Sequence, residues 1–167
     1  FAENLRSTNY RNGDFIASNL SPEDWITTEG RVTSCDEEYG RLYNWWAVND
    51  NRYLCPVGWH VPNGDEWEIL FDFLGGWQVA GEKMKHVYGW GEDGNGSNDS
   101  GFSALPGGVS EAGECYMPWW PALNTVFWTS WPGQYGSWAY GLRSDGDDVS
   151  NWGMNAFFAR SVRCIKD

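Results

Sequence analysis

The sequence lacks the patterns that usually mark an enzyme. It has only two histidines, His60 and His86, and it contains no Gly-x-Ser-x-Gly elbow, no His-Glu-x-x-His pair and no phosphate-binding loop. His60 lies between Trp59 and Val61, a setting that favours a hydrogen-bonded structural histidine over a catalytic one. Carboxylates are abundant, but the sequence does not place two of them at the separation that glycoside hydrolysis requires. We therefore expect a protein without catalytic residues.

Basic residues and long apolar runs are also scarce. The 167 residues include 11 Lys and Arg against 23 Asp and Glu, which gives a formal net charge of -12. Nucleic acids and anionic membrane surfaces are bound by clustered basic side chains, so this balance argues against both as partners. A membrane helix needs about 20 apolar residues, and the longest apolar run, residues 69–74, is interrupted by Asp72. We expect no membrane insertion, and a neutral glycan or a basic protein as the partner.

No two cysteines are close together in the sequence. Cys35, Cys55, Cys115 and Cys164 form no CxxC pair, so a zinc site is not expected. An even number of cysteines in an acidic, aromatic-rich chain favours two disulfides and an oxidising compartment. Four free thiols are the alternative interpretation.

The first half of the chain carries helical patterns. Residues 34–37 have capping-box spacing, and the apolar side chains that follow recur at helical intervals, which predicts a helix over 39–49. A second helix is predicted over 63–74, with Asn63 as the capping residue and Gly75-Gly76 at its end. Residues 78–85 are expected to add a short third helix. The apolar residues of the first pattern are Tyr39, Leu42, Tyr43 and Trp46.

The second half of the chain is predicted to form strands and turns. Short β-like segments alternate with Gly, Pro and Asp, and the clearest predicted strands are 126–130, 137–143 and 159–165. Helices followed by antiparallel strands are typical of an α+β fold. Without a linker or an internal repeat, residues 1–167 are expected to form a single domain.

Several segments, in order along nearly the whole chain, resemble the Fibrobacter succinogenes major paralogous domain, a family of bacterial extracellular proteins. They are Ala2-Glu3-Asn4-Leu5-Arg6, Tyr39-Gly40-Arg41-Leu42-Tyr43-Asn44-Trp45-Trp46-Ala47-Val48, Leu54-Cys55-Pro56-Val57-Gly58-Trp59-His60-Val61-Pro62 with Glu66-Trp67, Ser100-Gly101-Phe102-Ser103-Ala104-Leu105-Pro106-Gly107-Gly108, and Ser161-Val162-Arg163-Cys164.

The resemblance implies a C-type-lectin-like fold, related in shape to formylglycine-generating enzymes and to the variable proteins of diversity-generating retroelements. The expected architecture is α+β, with two main helices flanking a small, twisted antiparallel sheet with long loops. In the family a strand normally precedes residues 2–6, so the first strand of the domain is expected to be missing. The family motifs also imply a disulfide between Cys55 and Cys164, which leaves Cys35 to pair with Cys115.

Tryptophan is the residue in excess, with 13 copies. Its broad apolar ring fills cores, stacks on sugar rings and anchors protein partners. The family pattern makes residues 127–130 a core strand, so we assign Phe127 and Trp128, and also Trp138, to the core. The other aromatic residues between 116 and 155, with their polar neighbours, are expected to form a ligand face; their packing on one another is the alternative. The candidate ligand-binding residues are Trp119, Trp120, Trp131, Gln134, Tyr135, Tyr140, Arg143, Asp145, Asp147, Asn151, Trp152 and Asn155.

The loop at residues 92–100 is dense in the oxygen-bearing side chains that calcium prefers. It departs from the EF-hand template, because Asn98 occupies the position of the turn glycine and Ala104 that of the bidentate glutamate. The calcium motifs of animal C-type lectins are also missing. We expect a polar loop and no cofactor, with calcium at this loop as the alternative.

These observations predict a non-catalytic, secreted or cell-surface domain that binds a glycan or a protein through an aromatic face, for example as an adhesin. The alternative from a different class is a self-associating structural subunit of a surface filament or sheath.

Overall fold

The computed structural model describes residues 3–91, 93–115, 123–133 and 136–167. Within these ranges the chain forms a mixed eight-stranded sheet, a separate two-stranded sheet and four short helices. The strands are β1 (Val32–Thr33), β2 (Leu42–Asn44), β3 (Trp59–His60), β4 (Ser110–Glu111), β5 (Glu114–Cys115), β6 (Asn124–Gly133), β7 (Gly136–Arg143), β8 (Ser150–Asn155), β9 (Phe158–Ser161) and β10 (Ile165–Lys166). The helices are α1 (Pro22–Trp25), α2 (Trp45–Val48), α3 (Gly64–Phe73) and α4 (Trp77–Met84).

The large sheet has the strand order β1-β2-β9-β6-β7-β8. β4 also pairs with β9, and β5 pairs with β4. β6 and β9 run parallel to each other, while the other neighbouring strands are antiparallel. β10 pairs with β3 in the second sheet. β8 is thus the last strand at one end of the large sheet.

The expected α+β, C-type-lectin-like fold, with two main helices flanking a small antiparallel sheet, is wrong. Strand residues make up about 31% of the described chain and helical residues about 19%, and the sheet is both large and mixed. No helix among the described residues is long and apolar enough to cross a membrane.

The main error in the prediction is the helix over 39–49, of which only Trp45–Val48 is α-helical, as α2. Gly40 has a φ of 90°, outside the helical region, and residues 42–44 form β2 between β1 and β9. All three residues of β2 are buried. A strand that is buried on both faces loses its alternation of apolar and polar residues, so its sequence can imitate a helical pattern. Asp36 caps only a short 3-10 turn, Glu37–Tyr39.

The helix predicted over 63–74 is confirmed as α3. The Asn63 side chain accepts a hydrogen bond from the Glu66 backbone N–H, and the Glu66 carboxylate accepts one from the Asn63 N–H, which completes the capping box. Gly75 and Gly76 follow the helix with φ of 102° and 100°, values that favour glycine. The short third helix is confirmed as α4.

Two of the three predicted strands are also confirmed. Residues 126–130 lie within β6 and residues 137–143 within β7. The strand predicted over 159–165 is wrong as a single element, because β9 ends at Ser161 and Ile165 begins β10 in the other sheet.

The core lies on both faces of the large sheet. Trp128 is completely buried on one face, where its indole N–H donates to the backbone oxygen of Tyr43 at 2.6 Å. Phe127, the adjacent residue on β6, is buried on the opposite face against Trp67 of α3. The assignment of Phe127 and Trp128 to the core is confirmed.

Two disulfides hold distant parts of the chain together. Cys55 bonds to Cys164, 109 residues away, and Cys35 bonds to Cys115, 80 residues away. These are the pairs that the family resemblance implied. Disulfides form and persist in oxidising environments, so the protein belongs to an oxidising compartment.

Candidate functional site

Those residues predicted for the ligand face that the structure describes do not lie together. Four of the predicted residues, Trp119, Trp120, Gln134 and Tyr135, fall outside the described residues. The others are distributed between the core, the two faces of the sheet and the two ends of β7.

Tyr140 is a core residue, so its prediction as a ligand contact is wrong. Its side chain is only 5% exposed. Its ring packs against Phe71 and Trp77 at centroid distances of 5.0 Å and 5.3 Å. Burial raises the pKa of the phenol to about 12, because the phenolate would lose its hydration. Helices α3 and α4 cover the sheet at this point.

Trp138 was assigned to the core and is instead exposed, so that assignment is wrong. It lies two residues before Tyr140 on the same face of β7, yet 42% of its surface is accessible. Strand alternation identifies the face on which a side chain lies, but not how far the covering helices extend over that face.

Open space lies above the residue that pairs with Trp138 across the strands. Its cross-strand partner on β8 is Gly153, and a Cβ built on Gly153 meets no atom within 4 Å. Asn151 and Asn155 lie on the same face of β8, one on each side of Gly153, because side chains alternate along a strand. Both are exposed. We call Trp138, Gly153, Asn151 and Asn155 the Trp138 platform.

Trp131 lies at the start of α3. Its ring packs on the backbone of Gly64 so closely that a Cβ at Gly64 would be 2.5 Å from the indole. The side chain is 38% exposed. Trp131 therefore combines a structural contact with an exposed surface on the α3 side of the sheet.

Trp152 lies on the opposite face from Trp138. It pairs with Ala139 across β7 and β8, and its ring covers Gly141, where a Cβ would approach it to 2.8 Å. The side chain is 40% exposed. One ligand of ordinary size on the Trp138 platform would not contact both rings, since the sheet separates them.

Arg143, Asp145 and Asp147 lie at the other end of β7. A strand rises about 3.4 Å per residue, so Arg143 is roughly 17 Å from Trp138 along β7. Arg143 Nε contacts Asp145 Oδ1 at 3.0 Å. Beneath this loop the buried Lys85 donates from Nζ to the Gly146 carbonyl at 2.9 Å, and burial lowers the pKa of that amine. These residues form an anchored loop, separate from the platform.

Four polar side chains of the 92–100 loop, those of Asn95, Ser97, Asn98 and Ser100, bond to the protein itself; residue 92 is outside the described ranges. Asn95 Oδ1 accepts from the Trp90 N–H at 3.0 Å, and Asn98 Oδ1 accepts from the Ser103 N–H at 2.7 Å. The Ser100 hydroxyl donates to the Lys83 carbonyl of α4 at 2.8 Å. No group of three or more His, Cys, Asp or Glu in the described chain is arranged to hold a metal ion.

His60 is held by carboxylates at both ring nitrogens. Nδ1 lies 2.7 Å from Asp167 Oδ1, and Nε2 lies 2.8 Å from Glu66 Oε1. The hydrogen bond with Asp167, followed by that with Glu66, raises the pKa of His60. With both nitrogens engaged, the ring links Glu66 of α3 to Asp167.

Three of the family-like segments meet at Asn4. The Asn4 amide donates to the Tyr39 carbonyl at 2.9 Å and to the Ser161 hydroxyl at 3.2 Å. Its Oδ1 accepts from Arg163 Nε at 2.8 Å. Burial lowers the pKa of the Arg163 guanidinium to about 9. A cavity of about 370 Å³ opens beside Asn4.

Of the four platform residues, Trp138 and Gly153 were not among the candidates predicted from the sequence. Gly153 itself was a usable signal, because a glycine inside a strand often marks close approach of another group. Its pairing with Trp138 depends on strand register, which the local sequence does not reveal.

A model of one protein family, the Fibrobacter succinogenes major domain, matches residues 1–166. No curated protein and no solved structure matches the chain. The match covers the segments that converge on Asn4, and it confirms the resemblance. The chain belongs to the Fibrobacter succinogenes major domain family.

Proposed function

We propose that this protein is a non-catalytic, secreted or cell-surface domain that binds a glycan on the Trp138 platform. The observation that carries the proposal is an exposed indole next to an open glycine, flanked by two exposed asparagines. The two disulfides support an oxidising, extracellular location.

The chemistry of the platform suits an uncharged polyol. The apolar face of a sugar ring stacks on an indole, while amide groups donate to and accept from its hydroxyls. β8 contributes no charged residue to the surface, since its sequence is Ser-Asn-Trp-Gly-Met-Asn. Gly153 leaves room for the ring beside Trp138. These features favour a glycan over a protein ligand, whose interfaces usually present a larger apolar centre.

A glycan array probed with the 167-residue chain would supply a ligand, and calorimetry would then compare three variants. We expect Trp138→Ala to weaken binding at least tenfold, because aromatic anchors in such sites are worth about 2 kcal/mol or more. Gly153→Arg should block the platform to a similar degree. Its backbone is outside the left-handed region and its Cβ meets open space, so the fold should tolerate the change.

Trp152→Ala is the matched control. It removes a tryptophan of nearly equal exposure, 40% against 42%, from the opposite face. We expect its affinity to stay within about twofold of the wild type. Equal losses of affinity in Trp138→Ala and Trp152→Ala, or undiminished binding by Gly153→Arg, would show that the platform is not the binding site. Binding to a protein ligand alone would reject the choice of a glycan.

A structural subunit of a filament is the second candidate, and β8 is the feature that favours it. Within the described residues β8 pairs with β7 on one side only. It has none of the charges or prolines that commonly protect an edge strand from pairing with another chain. Sedimentation velocity distinguishes the candidates. A wild-type polymer that Met154→Pro in β8 disperses would favour the filament. A wild-type monomer would favour the binding domain.

A further inference from the structure

Helix α3 exposes two large apolar side chains that the core does not use. Ile69 is 69% exposed and Phe73 is 85% exposed, and they are four residues apart, so they lie on the same side of the helix. The buried side of α3 is formed by Trp67, Phe71 and Leu74. Leu70 is partly buried and lies between the two sides.

A groove runs next to these exposed residues. It has a volume of about 220 Å³. Leu70 contributes to its wall and is three residues from Phe73, so it lies between the groove and the exposed stripe. The other residues that line it are the apolar Trp59, Pro62, Trp67, Phe102 and Ile165, the disulfide-bonded Cys164, and the charged Glu66, Arg163 and Lys166.

An acidic row borders the apolar stripe on its other side. Asp65, Glu68 and Asp72 are spaced at i, i+3 and i+7 and are all exposed, and at 100° per residue they lie next to Ile69. α3 contains no lysine or arginine. The helix therefore presents an apolar stripe and a parallel row of negative charge.

We propose that this surface docks a basic amphipathic helix of another protein. Such a helix carries an apolar stripe and a basic row at the same spacing, so its apolar stripe would meet Ile69 and Phe73 while its basic row meets the acidic row of α3. A second copy of this chain is a poor occupant, because its own α3 would bring three more acidic residues against the row and its net charge is also -12. The proposal is independent of glycan binding.

The test uses an 18-residue peptide of leucine and lysine with helical periodicity, and a matched leucine and glutamate peptide. Fluorescence anisotropy should show that the lysine peptide binds and that the glutamate peptide does not. We expect Ile69→Ser with Phe73→Ser to weaken binding at least tenfold. Glu68→Gln with Asp72→Asn should weaken it and flatten its dependence on salt.

Ile26→Ser is the matched control, since Ile26 is 65% exposed and follows α1, which packs in a different part of the core. Its affinity should remain within twofold of the wild type. The proposal is overturned if the control weakens binding as much as the α3 variants, or if the glutamate peptide binds equally well. A dimer that Phe73→Ser dissociates would also overturn it, because the occupant would then be a second copy.

Discussion

Replacing Asn4 tests whether the three family-like segments that meet there form one hydrogen-bonded unit. In Asn4→Ala the Tyr39 carbonyl and the Ser161 hydroxyl lose a donor, and Arg163 loses the acceptor of its Nε–H. Two neutral bonds are worth about 1 kcal/mol each and a bond to a charged group about 1.5–3 kcal/mol. The gross loss is therefore about 3.5–5 kcal/mol.

The cavity beside Asn4 reduces this value. Because Asn4 and Arg163 both line it, water can replace part of the lost bonding. We expect a net loss of about 3 kcal/mol in the free energy of unfolding. With a urea m value of about 2 kcal/mol/M, the midpoint should fall by roughly 1.5 M.

The assay is urea unfolding followed by circular dichroism with both disulfides intact. Asn151→Ala is the control, because Asn151 is exposed on β8 and such surface changes usually stay within about 0.5 kcal/mol. If the free energy of unfolding of Asn4→Ala were within 1 kcal/mol of that of this control, Asn4 would not be the centre of the unit.

Two further changes follow from the structure. Protonated His60 donates to both Asp167 and Glu66, so its contribution to stability should be complete below the unfolded pKa, near 6.5, and should disappear as the pH rises through the raised folded pKa. A His60 pKa below 6.5 in an NMR titration would contradict this. So would a melting temperature whose pH dependence is the same in His60→Gln as in the wild type. Gly81→Ala should lower the free energy of unfolding by more than about 1 kcal/mol, because the added Cβ would lie 2.6 Å from the Asp148 carbonyl oxygen. This loss should exceed the gain from alanine's better helix propensity. A melting temperature at or above that of the wild type would show that the contact relaxes.

Local signals in the sequence predicted α3 well and β2 badly. The capping box at Asn63 and the glycines after Leu74 act within a few residues, so they hold in any tertiary context. Leu42, Tyr43 and Asn44 become a strand because β1 and β9 lie on either side of them, and β9 is more than 100 residues away in the chain. Intrinsic patterns do not contain that information.

The candidate site depended even more on distant contacts. Tyr140 and Trp138 share a face of β7, and only the extent of the helical layer makes one a core residue and the other a surface residue. The register with β8 places Gly153 beside Trp138 and turns Trp152 to the opposite face. The excess of aromatic residues indicated a ligand surface, but the sequence could not show which rings share it.

The central claim is that a glycan binds at Trp138, and the indole N–H resonance of this residue tests it most directly. The resonance would be assigned from Trp138→Phe and followed in ¹H–¹⁵N spectra while the best ligand from the glycan array is added. We predict that the Trp138 resonance shifts in a saturable manner and that the Trp152 resonance remains unchanged. A Trp138 resonance that stays in place while the glycan binds would contradict the proposed site.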